Sequence, residues 1–77
     1  MKMASKEMIE KMENKAEEVK SQLKIAEIES NTWSKYGKVR VYPVGYRGYV
    51  YITEALEVGL EINGGKRSIK EALNLYN

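Results

Sequence analysis

From Ile9 onward, apolar or small residues return at Met12, Ala16, Val19, Leu23, Ala26 and Ser30, with Trp33 next. This 3-4-3-4 spacing puts them on one stripe of an α-helix, and no Pro or Gly breaks it before Gly37. The spacing predicts a helix over residues 1–31, ended at Asn31, with 32–37 as the exit. Glu7 and Lys11 add a favourable i,i+4 pair, whereas Lys20 and Lys24 repel at the same spacing. A helix of about 24 residues spans roughly 36 Å, while strands of about six residues reach only about 20 Å. The N-terminal half, with Met3, Met8, Ile9 and Met12, is therefore expected to overhang any sheet built from the rest. Such an overhang either frays or serves as a homodimer seam or an arm in a partner's groove, where flexible Met side chains adapt well. A parallel homodimer sets Lys15 against Lys20 across the seam, so an antiparallel pair or a different partner fits better.

Beyond Gly37 the period changes from 3.6 to 2. In KVRVYPV, residues 38–44, Val39 and Val41 alternate with Lys38, Arg40 and Tyr42, which reads as a strand with one apolar and one basic-aromatic face. Pro43 cannot donate to a ladder and marks the end or edge of that strand. The VGYRG segment supplies two glycines for a hairpin loop. GYVYIT then returns with Val50 and Ile52 on one face and Tyr49, Tyr51 and Thr53 on the other. A third alternation sets Leu56, Val58, Leu60 and Ile62 against Glu57, Gly59 and Glu61, and Asn63-Gly64-Gly65 closes it as a turn. A competing reading makes residues 53–58 a short helix capped by Thr53 and ended by Gly59.

Ser68-Ile69-Lys70-Glu71 fits a capping box, and Ile69, Ala72, Leu73 and Tyr76 fall on one helical face. The expected architecture is thus α+β over residues 1–77 as one small domain: a long N-terminal helix, a three-stranded antiparallel meander and a short C-terminal helix (α-β-β-β-α). Residues 36–77 supply the sheet and second helix.

Composition narrows the chemistry. The chain has 77 residues with no Cys and no His, so it lacks disulfides and the usual zinc ligand sets. All eleven acids are Glu. Without His, Cys or Asp there is no catalytic triad, no 2-His-carboxylate site and no Asp-based phosphoryl-transfer site. A Glu pair of glycosidase type is not expected in a chain too small for a deep pocket. A non-enzymatic protein without metal or cofactor is the expectation. No run of about 18 apolar residues predicts a membrane span, and the charged N-terminus does not read as a signal peptide. A cytoplasmic protein is expected.

The net charge of +2 is unevenly spread. Residues 1–29 carry six Lys and seven Glu, residues 30–52 carry Lys35, Lys38, Arg40 and Arg47 with no acid, and residues 53–77 carry three cations against four Glu. The positive segment also holds five of the six tyrosines, four of them, Tyr42, Tyr46, Tyr49 and Tyr51, within residues 42–51. If the strands alternate as read, Lys38, Arg40, Tyr42, Tyr49 and Tyr51 share the face away from the helices, with Tyr46 and Arg47 at the loop tip. Such rings can serve the sheet alone, because Tyr cross-strand pairs stabilise an exposed face by about 0.2–1 kcal/mol each.

They also suit two kinds of partner. Tyr, Trp, Arg and Met are enriched at protein interface hot spots, which with the helix arm (Met8, Ile9, Met12) predicts docking on a protein or nucleoprotein complex. Trp33 is expected to close the core between helix and sheet, or to anchor a partner. Alternatively Arg and Lys meet phosphates while Tyr stacks on bases. The order α-β-β-β-α, with GGKRSIKEAL opening the last helix, is similar to double-stranded-RNA-binding domains, and that resemblance implies phosphate contacts for Lys66, Arg67 and Lys70. The family's Gly-Pro-x-His loop is missing here. Three strands and a C-terminal helix also look like the arm-binding domains of phage integrases, which implies DNA reading by the sheet. Glu57 and Glu61 on the same face would repel phosphate. In size and style the chain resembles small virus-encoded anti-defence proteins, including anti-CRISPR inhibitors, which implies an inhibitor or adaptor that occludes a nucleoprotein machine.

Overall fold

The computed structural model describes residues 5–61 and Leu73. It opens with helix α1, Lys6–Ile25. Ser5 is its N-cap, with the side-chain oxygen accepting from the Met8 N–H at 3.1 Å, and so satisfies one of the free donors of the first turn. Met12, Ala16, Val19 and Leu23 are its buried stripe.

The helix stops well before Asn31, and the closure shows why. Glu27 takes a left-handed conformation with φ 64°. Its N–H bonds the Lys24 carbonyl at 2.9 Å, and the Ile28 N–H bonds the Leu23 carbonyl at 2.8 Å. This pair of bonds is a Schellman closure, and the Ile28 side chain packs back on the core that holds Leu23. Ala26, expected on the helical stripe, is the exposed C-cap.

The chain thereby turns early enough to make a strand not expected from the sequence. Among the described residues the sheet has four strands in the order β1-β2-β3-β4, all neighbours antiparallel. They are β1 Ser30–Lys35, β2 Lys38–Pro43, β3 Tyr49–Ile52 and β4 Val58–Glu61. The α+β class and the alternation of β2 and β3 hold, but the meander has four strands rather than three. Residues 32–37, expected as an irregular exit, instead supply most of β1 and the turn to β2. Tyr36 and Gly37 form that turn with φ 54° and 76°, both positive as a two-residue type I′ hairpin requires.

Neither reading of residues 53–62 holds as a whole. Thr53 accepts the Glu57 N–H on its side-chain oxygen at 3.0 Å, and the Leu56 N–H bonds the Thr53 carbonyl at 2.8 Å. Leu56 sits at φ 62° in this turn, so the strand begins at Val58 and no helix forms. The C-terminal helix expected over 68–76 lies outside the described residues, as do Lys66, Arg67 and Lys70 of the expected phosphate contacts.

Helix α1 packs on β1 and β2 and less on β3. Its stripe meets Val39, Val41, Val50 and Ile52, and Leu73 completes the same cluster. Burying each such side chain contributes roughly 1.5–3 kcal/mol. Met12 is 2% exposed and Met8 packs against the cluster. Met12 is therefore not part of the expected overhanging arm, and Met3 lies outside the described residues. Met12 is core and Met8 half-buried, because the stripe begins to bury at the second turn of the helix. Ile9 is half-buried. Among the described residues, no helix is long and apolar enough to cross a membrane.

Candidate functional site: the open face of the sheet

With α1 on one side, the residues alternating to the other side form an open face: Asn31, Trp33 and Lys35 from β1, Lys38, Arg40 and Tyr42 from β2, Tyr49 and Tyr51 from β3, Gly59 and Glu61 from β4. The register aligns them. Trp33 lies opposite Arg40, Arg40 opposite Tyr51, and Tyr51 opposite Gly59, so one row crosses the whole sheet.

Arg40 organises the centre. Its guanidinium carbon lies 5.1 Å from the Trp33 ring centroid and 4.4 Å from that of Tyr49, distances at which the ring quadrupole attracts a cation. Its Nη1 donates to the Tyr42 hydroxyl at 3.2 Å. That hydrogen bond raises the Arg40 pKa, burial opposes it, and the charge interactions with Tyr49 and Tyr42 add to the rise. The group is cationic at any pH the fold would meet. Among the described residues no carboxylate lies within ion-pair distance of it; the pair Lys15–Glu18 on α1 is the one salt bridge found there.

The tyrosines pack on each other around this cation. Tyr42 and Tyr49 have centroids 5.4 Å apart at 45°, and Tyr49 and Tyr51 6.4 Å apart at 63°, within the tilted and edge-on range that aromatic pairs favour. Tyr51 remains 37% exposed and lies across Gly59, where a Cβ would collide with its ring. A shallow groove of about 420 Å³ runs beside the cluster, lined among others by Lys38, Arg40, Tyr49, Tyr51, Glu54 and Glu61.

The expected contact residues thus divide. Lys38, Arg40, Tyr42, Tyr49 and Tyr51 do share one face. Tyr46 does not stand free at a loop tip but packs half-buried against the core, while Arg47 is exposed. Trp33 was expected chiefly between helix and sheet. It is on the opposite side, half-buried beside Arg40. A signal for it existed in the alternation Asn31, Trp33, Lys35 against Ser30, Thr32, Ser34, hidden because the inward positions carry small hydroxyl side chains. Among the described residues no group of carboxylates is placed to hold a metal ion.

No family model matches this chain, and no curated protein or solved structure matches it.

Proposed function

We propose that the protein is a non-enzymatic binding module of the adaptor or inhibitor kind, whose open sheet face docks on a protein partner that presents a carboxylate. The observation that carries this reading is Arg40: a cation held by two rings and a hydroxyl, with no carboxylate within ion-pair distance among the described residues. A guanidinium held this way keeps donors for a planar carboxylate and has already lost the side-chain freedom that binding would otherwise cost. Its aromatic surround is the composition enriched at interface hot spots.

Nucleic acid is the second reading, favoured by exposed Lys35 and Lys38 beside Trp33. Two features weigh against it. Arg40 already covers one face of Trp33 and one of Tyr49, the surfaces on which bases would stack, and Glu54 and Glu61 line the groove beside the platform with like charge to phosphate.

Peptide display selected on the wild-type protein and counter-selected on Arg40→Ala tests the proposal. Enrichment of peptides with Asp or Glu beside apolar residues is the expected result. An absence of enrichment over the variant, together with salt-sensitive binding of labelled single-stranded DNA or RNA, would replace it with the second reading.

A further inference from the structure

A second surface, independent of the open face, is the outer edge of β1, against which no strand pairs among the described residues. The Val44 N–H bonds the Glu29 carbonyl at 2.8 Å, which sets the parity of the ladder: Glu29, Asn31, Trp33 and Lys35 turn their backbone groups to β2. Ser30, Thr32 and Ser34 turn theirs outward. The pairing of Ser30 with Pro43 agrees, because Pro has no N–H to give at that position. The strand is six residues long and carries none of the usual edge protections of Pro, bulge or a charge in its middle. Leu73, the described part of the C-terminal segment, lies at the other side of α1, beside Val19 and Val58.

We infer that this edge pairs with the same edge of a second copy, antiparallel about a two-fold axis at Thr32. That register follows from the sequence of the edge. With Thr32 opposite itself, Ser30 comes opposite Ser34 of the second copy, so all three outward-facing residues exchange backbone hydrogen bonds. On the open face, Asn31 meets Trp33, and Glu29 meets Lys35, at both ends of the seam. Glu29 and Lys35 are both exposed, and opposite charges directly across strands attract. Each Lys35 also gains relief, since within one chain it faces Lys38, a like-charge pair.

On the other face the side chains brought together are Ser30, Thr32 and Ser34, small enough to let two helix-covered sheets approach. Glu17 of α1, which accepts from the Thr32 hydroxyl at 3.5 Å, comes to the axis with them, a like-charge pair that the two Glu29–Lys35 pairs must outweigh. The Ser30 hydroxyl is buried without a hydrogen-bond partner among the described residues, and Ser34 of the second copy would stand opposite it. The product is one eight-stranded sheet, with the two Trp33 side chains diagonal neighbours at the axis and a single aromatic platform across both copies. This seam uses β1 and not the N-terminal helix, whose Met12 is in the core.

Sedimentation equilibrium of the full chain tests it, with far-UV circular dichroism to show that each variant folds. The wild type is expected to run as a concentration-dependent dimer. Glu29→Lys and Lys35→Glu alone each weaken association by roughly tenfold or more, since two attractive pairs become repulsive, and the double exchange restores it. Thr32→Pro removes an outward N–H without touching the β1–β2 ladder and leaves a folded monomer. A wild type that stays monomeric at its highest soluble concentration overturns the inference. So does a dimer unmoved by the two single charge reversals.

Discussion

The ring of Tyr51 lies across Gly59 on the neighbouring strand, in the space a Cβ would occupy. The two residues are directly paired, so the missing side chain of one is the seat of the other, and the aromatic row is level with β4 because of it. Gly59 has an ordinary strand conformation, since its φ is not among the positive values of Gly37, Gly45 and Gly48. Alanine there is thus tolerated by the backbone.

Gly59→Ala should therefore alter the face without undoing the fold. The strand gains about 0.5–1 kcal/mol from replacing Gly, offset by the loss of the ring's seat. Tyr51 ring resonances should shift in NMR spectra while Val50 and Ile52 amides hold their positions. Unchanged Tyr51 signals would mean that the ring does not rest on Gly59.

Trp33 is the chain's one tryptophan, so its fluorescence reports on the Arg40 cluster. Arg40→Ala should move its emission to the red and leave the far-UV spectrum unchanged, because the guanidinium covering the indole is replaced by water. Emission insensitive to this change would remove the cation from the ring.

The same fluorescence should be flat between about pH 6 and 9. The Arg40 pKa is raised in the fold, first by its bond to Tyr42. A raised base contributes stability that is complete below its unfolded pKa and fades only as pH climbs through the folded one. Both lie above the range scanned, and the sequence holds no His or Cys to titrate within it. A sigmoidal change near neutrality would contradict this cluster.

Glu27 adopts the left-handed region at φ 64°, where a side chain costs roughly 1 kcal/mol. Glu27→Gly keeps both closing hydrogen bonds and should stabilise the protein by about 0.5–1 kcal/mol in urea denaturation. A destabilised variant would show that the Schellman closure is not what ends the helix.

Met12 separates a core role from an arm. Its burial at 2% exposure predicts that Met12→Ala costs about 2–5 kcal/mol, a large share of what a domain of this size holds in reserve. Stability unchanged by the substitution would return Met12 to a solvent-facing arm.

How much of this was legible follows from where the signals are strong. Val39, Val41, Val50 and Ile52 alternate with Lys38, Arg40, Tyr42, Tyr49 and Tyr51, so period-2 patterning alone predicted two strands and the membership of most of the open face. The stripe from Met12 to Leu23 likewise marked the buried side of α1, since both patterns are imposed by burial against one layer. The end of the helix was a different matter. Ala26, Ser30 and Trp33 continue the helical spacing by coincidence, and only the return of Ile28 onto the core at Leu23 shows that the chain reverses there. Once reversed, SNTWSK becomes a strand because β2 offers it a ladder, not because its residues favour one. Trp33 accordingly changes sides, from the expected core to the ring beside Arg40. Local periodicity reports which residues will be buried; the choice between continuing a helix and closing it rests on a long-range packing contact that no window of the sequence contains.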